Sequence, residues 1–525
     1  MLRVFQNDIL NPKHFVVTLE LVPGRESTGR SVDTVMGIAR DAFADGRISA
    51  VSITDNPGGN PSLSPDAIGY RIFSIGMDVI VHFTCRDMNR VGMESRTLQL
   101  AMMGMKNILA LTGDYAGKGF GGQGAPVFDL DSVNLLIMIK LISQRINAAG
   151  DPDGFFTGCA VSPFKQTEGE CAAQYSKMSR KAAAGAQFAI TQLGYDARKF
   201  QELIGIQRHM DLDIPTLGSV YLLSLKAARI MNQGRVPGAV VTDRLLNTVQ
   251  REWQDKKQGK AAAIERAARL GVVLQGLGYR GIHIGGIHRD FSTVGMILDR
   301  MAKIKDDWQA FIPQFDYPQP SGFYAFREPP LAPVTSPVFG LHPQPVPVID
   351  RVLYPLMKTA HDLFFNFDSP LAPLYRTICK RLDGGIAGRL FLHLTEHPIK
   401  RMLLGCLQCG DCAIQHVGFL CPESACPKHI RNGACGGSRH GMCEVNADRR
   451  CVWFHAHNRL DADGKIQQLC EGCIPPRMWE LNHTSSWINF HLRRDHQSNG
   501  SEIAGLCRRT TCRLLPEDGS PQTEV

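Results

Sequence analysis

Twelve of the sixteen cysteines fall between Cys406 and Cys512, so one stretch of the chain carries most of its thiol chemistry. Cys406, Cys409 and Cys412 form a C-x2-C-x2-C run, followed by Cys421-Pro, Cys426-Pro, Cys435-Gly, Cys443 and Cys451. Eight thiols suit two metal sites of four ligands each. The triple spacing followed by Cys-Pro is that of iron-sulfur ligation, although the eight-residue gap before Cys421 is longer than the ferredoxin three. Four-cysteine zinc sites use similar pairs, and Cys470-x2-Cys473 with His455 or His457 nearby offers further ligands. [4Fe-4S] clusters and zinc therefore both stand, with unligated structural thiols as the plainer reading.

Three other places carry groups able to do chemistry. Glu20 lies in "VVTLELVPGR", where burial among Val and Leu would raise its pKa and keep it protonated, as a general acid near neutral pH requires. The plain alternative is a strand-end carboxylate paired with Arg25 or Lys13. Asp114 lies in "LALTGDYAGKGFGGQG", whose glycines allow close backbone approach to a ligand but match neither the dinucleotide nor the P-loop fingerprint. Arg180 and Lys181, in "SRKAAAGAQFAITQ", could neutralise a phosphate, or could be solvated helix charges.

These groups need a frame. Strand-like runs recur at 15–22, 48–55, 78–85, 106–113, 155–163, 188–195, 213–221 and 279–287, separated by helical patterns such as 31–46 and 131–146, the latter capped by Asp131. An eightfold alternation of this length predicts an α/β fold, a (β/α)8 TIM barrel, with a doubly wound sheet as the alternative. Its active site belongs at the C-terminal ends of the strands. Polar residues stand at those ends: Glu20, Thr54 with Asp55, His82 with Thr84, Asp114, Gln192 and His283.

The reading divides the chain into a barrel over 1–311, a Pro-rich linker over 312–349, a helical and cysteine-rich metal-binding domain over 350–513, and a tail over 514–525. Aromatics in the linker predict that it lies along the barrel. Composition is that of an ordinary globular protein, and a net charge of +8 does not point to nucleic acid. With no signal-peptide pattern and no run of eighteen apolar residues, no membrane span is expected and the location is expected to be cytoplasmic. Thiols in that reducing compartment are not expected to form disulfides.

The order Glu20 in "LELVPGR", Thr54 in "SITD", His82 in "HFTC", Asp114 in "ALTGD" and then "RKAAAGAQFAITQ" resembles the methylenetetrahydrofolate reductase family, over roughly residues 12–305. The resemblance implies a flavin-dependent barrel that moves a hydride from reduced flavin to 5,10-methylenetetrahydrofolate, giving 5-methyltetrahydrofolate. It makes Glu20 the general acid, Asp114 a catalytic and substrate-binding aspartate near flavin and pterin, and Gln192 a folate ligand. Thr54, His82, Gly113, Arg180 and Lys181 match flavin-contacting positions, with FAD preferred to FMN. Departures fall at Thr112, where well-known members carry Arg, at Ala160, and near Leu225, where an aromatic that meets folate and nicotinamide is replaced. They put direct reduction by NADH in question.

"CPESACPK" and "NGACGGSRHGMCEV" resemble a C-terminal domain fused to some members of that family and found as a partner subunit in acetogen-type anaerobes, over about 350–465. That likeness implies clusters held by Cys406, Cys409, Cys412, Cys421, Cys426, Cys435, Cys443 and Cys451, relaying electrons to the flavin. The expected partners are tetrahydrofolate and either NAD(P)H or a ferredoxin-like donor, in a chain able to form a homo-oligomer. Competing readings are the same barrel oxidising methyltetrahydrofolate or handling another folate one-carbon group, and a non-catalytic electron-transfer or scaffold protein.

Overall fold

The computed structural model describes residues 4–150, 153–328, 331–332, 336–340 and 347–497. Eight parallel strands close a barrel: β1 Val16–Leu21, β2 Ala50–Ile53, β3 Val79–Thr84, β4 Asn107–Leu111, β5 Phe156–Val161, β6 Phe188–Thr191, β7 Thr216–Tyr221 and β8 Gly281–Gly285. Each pairs with its sequence neighbours, and β1 pairs with β8 to complete the ring. Every strand falls inside a run read from the sequence, and closure excludes the doubly wound sheet. Strands covered on both faces are apolar almost throughout, as β3 "VIVHFT" is, and all six of its residues are buried.

One end of the barrel is plugged. The Val4–Leu10 helix buries Phe5 and Ile9 completely. The Phe5 ring meets Phe156 and Phe188 edge-on at 5.8 and 5.1 Å, and those residues begin β5 and β6. The N-terminal end is therefore apolar and filled, which leaves the C-terminal end for polar groups.

The Pro-rich segment lies against the barrel where it is described. The Phe323 amide donates to the Gln166 carbonyl at 2.7 Å, the Ala325 amide to Glu202 at 2.8 Å, and the Phe339 ring packs 6.3 Å from Tyr175. Residues 329–330, 333–335 and 341–346 of the expected linker lie outside the described residues, as do 498–513 of the expected metal-binding domain and the tail 514–525.

The C-terminal region begins with helices Val348–Phe364, Ala372–Leu382, Ile386–Phe391 and His397–Leu404, then turns into the cysteine-bearing loops and the Val452–Ala462 helix. This last helix lies on the barrel helix Glu168–Ala183. Gly169 permits the approach, since a Cβ there would stand 2.9 Å from His457 Nδ1. Asp131 fixes the contact more firmly. One of its oxygens caps the Ser132–Ala148 helix, accepting from Val133 and Asn134 at 2.9 and 3.1 Å. The other accepts the Arg431 and Asn432 amides at 3.2 and 2.9 Å and the Asn432 side chain at 3.0 Å.

Lysines complete the attachment. Lys177 donates to the Gly433 carbonyl at 3.0 Å, Lys165 to the carbonyls of Gly436 and Ser438, and Lys428 to the Gly113 carbonyl at 2.8 Å. The cysteine-bearing loops thus form a roof over the C-terminal mouth of the barrel. One expectation on the thiols changes: Cys470 is disulfide-bonded, whereas the eight candidate metal ligands are free thiols.

Candidate active site and metal centres

A cavity of about 510 Å³ opens at the C-terminal ends of the strands. Glu20 of β1, His82 of β3 and His283 of β8 reach it from the barrel interior, while Thr54, Asp114 and Gln192 reach it from positions just beyond β2, β4 and β6. Gly113 and Lys181 also line it. Glu20 and Asp114 share this one space.

Burial alone would raise Glu20, but the neighbouring His283, with lesser contributions from His82 and His288, outweighs it and holds the carboxyl below its usual range. This corrects the expectation of a carboxyl kept protonated by burial. The side chain is 28% exposed to the cavity, and its Oε2 lies 3.8 Å from His283 Nε2. His283 is oriented in turn by Thr18, whose hydroxyl lies 2.8 Å from Nδ1. Neither Arg25 nor Lys13 takes part. His82 is pulled down to about 4 by burial and is neutral at physiological pH.

Asp114 behaves in the opposite sense. Burial raises its carboxyl, Glu444 adds to the rise, and Lys428, the Gly58 amide at 3.1 Å and Arg86 only partly offset it. Gln192 has both ends of its amide engaged, donating to the Pro237 carbonyl at 2.9 Å and accepting from the Leu193 amide at 2.8 Å. Gly113 has φ +89°, and a Cβ there would meet Thr84 Cβ at 3.0 Å, so the turn that presents Asp114 needs glycine. Lys181 donates to the Ala160 carbonyl at 2.6 Å at the cavity wall. Arg180 is placed elsewhere, buried beside the Glu471 carbonyl at 3.3 Å.

The sequence reading missed several walls of this cavity. Tyr221 ends β7 and lines it, supplying an aromatic four residues before Leu225, where an aliphatic replacement was expected. The strand-end rule could have found it. Lys428, Glu444, Cys435, Gly436 and Gly437 enter from the roof, and Lys428 pairs with Glu444. No local pattern announces residues brought in from more than 300 positions away.

The residues present fit a flavin. Thr54 Oγ1, His82 Nε2, Ser162 Oγ, Gln174 Nε2 and Glu444 Oε2 are buried, have no hydrogen-bond partner among the described residues, and belong to residues lining the cavity. Unpaired buried polar atoms are costly, and a flat ring with donors and acceptors on its edges would satisfy them.

The eight cysteines divide into two sets. Cys426, Cys435, Cys443 and Cys451 line one small cavity. Cys406, Cys409 and Cys412 lie within electrostatic reach of Lys400, whose Nζ is 3.5 Å from Cys412 Sγ, and Cys412 acts likewise on Cys421. A tetrahedral zinc ion would draw its sulfurs to about 3.8 Å from one another. Among the described residues, the group with all ligand atoms within 4.8 Å is Asp411, Asp495 and His496, and neither cysteine set qualifies. The further zinc ligands are dispersed: His455 binds Asp350 at 2.5 Å, His457 packs on Gly169, and Cys473 joins the barrel core. Cys435 lines both the cysteine cavity and the barrel cavity.

Comparison with known proteins agrees with this architecture. Residues 389–480 match a family described as methylene-tetrahydrofolate reductase C terminal. A probable methylenetetrahydrofolate reductase (NADPH) of Caenorhabditis elegans is 26% identical over 201 residues, 37% of this chain and 28% of that protein, so the chain spans well under two thirds of that relative. An uncharacterized Clostridium thermocellum protein, solved with two copies of 5-methyl-5,6,7,8-tetrahydrofolic acid, aligns with 58% of this chain and 99% of its own at TM-score 0.40 and 11% identity. A 2,3-dimethylmalate lyase aligns with 58% of this chain and 85% of its own at TM-score 0.32 and 12% identity. Neither structural likeness is close enough to carry an argument. The match that decides is to the barrel itself: over residues 6–302, more than half its length, the chain belongs to the methylenetetrahydrofolate reductase family.

Proposed function

We propose that the protein is a flavin-dependent oxidoreductase that interconverts 5,10-methylenetetrahydrofolate and 5-methyltetrahydrofolate, with electrons relayed through two [4Fe-4S] clusters. The observation that carries this reading is that Glu20, Asp114 and Cys435 all line one cavity. A proton-handling acid, a second carboxyl of opposite tendency and a cluster ligand then face the same bound molecules.

Thr54, His82 and Lys181 would hold the flavin, which when bound supplies hydride chemistry that no side chain offers. The pterin lies between Asp114 and Glu20, and Gln192 exchanges its internal hydrogen bonds for folate contacts. Asp114, whose carboxyl is raised by burial, would hydrogen-bond a pterin nitrogen. Glu20 handles the proton at the folate nitrogen that leaves or rejoins the one-carbon bridge. In the reductive direction it must deliver that proton; in the oxidative direction it must accept it. The same groups serve both directions, because a catalyst lowers one barrier for both. The roof over the mouth excludes water from the space where the hydride moves.

The test is anaerobic purification followed by a visible spectrum and iron and zinc analysis of the same sample. A flavin band with broad iron-sulfur absorbance and about eight iron atoms per chain is expected, together with bleaching of the flavin by methyltetrahydrofolate. Zinc without iron removes the relay. A flavin that neither folate affects removes the activity.

A further inference from the structure

Behind the first cysteine set lies a second large cavity, of about 550 Å³, that the folate site does not use. Its walls are almost wholly apolar, with Met357, Phe365, Phe391 and Trp487 among them. Its wall also includes Cys412 and the buried Lys400 and Ser486. Lys400 Nζ lies 2.6 Å from the Ser486 hydroxyl, 3.5 Å from Cys412 Sγ and 3.5 Å from Glu396. Around the outside, Leu356, Phe364, Ile378, Ile399 and Leu403 both line the cavity and stand 37–61% exposed. The mouth is therefore an apolar rim.

From this juxtaposition we propose that the cavity binds a lipophilic quinone, which exchanges electrons with the cluster held by Cys406, Cys409, Cys412 and Cys421. This rests on the cluster reading of the preceding section. Volume and lining suit one ring with a short stretch of apolar tail. Lys400 and Ser486, 2.6 Å apart beside Cys412, form a polar point in a wall that is mostly carbon, where a ring carbonyl can be received while the tail meets apolar side chains. A fatty acid fits less well, because the Lys400 ammonium is already paired with Glu396 and would leave a carboxylate without a counter-charge. The rim favours a ligand arriving from an apolar phase, and the Cys412 wall gives a redox-active ring a reason to be there.

The electron balance closes. Conversion of methyl- to methylenetetrahydrofolate releases two electrons and two protons. The electrons pass singly through the clusters, and the quinone takes two electrons and two protons to become the hydroquinone. The net reaction is 5-methyltetrahydrofolate plus quinone giving 5,10-methylenetetrahydrofolate plus hydroquinone.

Trp487 reports binding without reference to activity. Ubiquinone-1 titrated into the anaerobic holoprotein is expected to quench its emission saturably, and the quench should vanish in Trp487→Phe. Ala360→Phe fills the cavity, and Ile378→Phe narrows it from a half-exposed position that tolerates change; each should weaken the quench at least 10-fold. In turnover, these two variants should reduce ubiquinone-1 at least 10-fold more slowly, while methyltetrahydrofolate still bleaches their flavin at the parent rate. An unchanged Trp487 emission overturns the assignment, and so does a quench that both blocking variants retain. Self-association through this face that closes the cavity would equally replace the quinone by a second copy. If methyltetrahydrofolate fails to bleach the flavin, the folate reading falls, and the emission titration still decides the site.

Discussion

Glu20 and His82 line the same cavity, yet they are perturbed for different reasons. The Glu20 carboxyl is stabilised as an anion by His283, so its contribution to stability is present above the ordinary value of 4.5 and is lost as pH falls through the lowered one. Glu20→Gln keeps the shape and removes the proton exchange. Folate turnover should fall about 10²-fold or more with flavin still bound, as read by anaerobic bleaching of the holoprotein. At His82 burial outweighs the charges of Glu20 and Asp55: the unfolded chain takes up a proton near 6.5, the folded one only near 4. Stability should therefore decline as pH falls between those values, by roughly 3 kcal/mol at most. His82→Gln should flatten that acid limb in denaturant titrations at pH 4–7.

Among the elements, the start of the Ser132–Ala148 helix does more than begin a helix. Asp131 caps it and also receives three donors from the cysteine-bearing loops. An ordinary cap contributes about 1 kcal/mol, and buried donors left without an acceptor cost about 1–3 kcal/mol. Asp131→Ala should therefore destabilise by about 2–4 kcal/mol, with a lower Tm and faster loss of iron on chelation. The capping role was legible from "DSVNLL", because a cap is written within three residues. The anchoring role was not, because its partners lie 300 positions further on. The same distinction separates the barrel from its site. Strand runs and strand-end polar residues are local patterns, and the residues they single out, Glu20, Thr54, His82 and Asp114, line one cavity. Arg180 shares its helix with Lys181, and periodicity could not tell which of two adjacent charges faces the strands and which faces the roof.

Over the whole molecule, spacing along the chain did not reveal how eight cysteines divide, because that depends on how the loops fold back. The division predicts two distinct losses. Cys435→Ala should remove about four iron atoms and disturb the flavin spectrum, since Cys435 forms part of the barrel cavity. Cys412→Ala should remove a similar quantity of iron and leave the flavin band in place. Iron analysis and visible spectra of both variants check this, and equal effects on the flavin would refute the arrangement.

Because the loop carrying Cys435 is also a wall of the barrel cavity, a cluster held there as proposed would tie metallation to substrate capture. A chain made under iron starvation would keep its eight strands but present a vessel with one side unfinished. Supply of a nutrient metal would then set how much of the protein can hold its substrate at all, before any electron has moved.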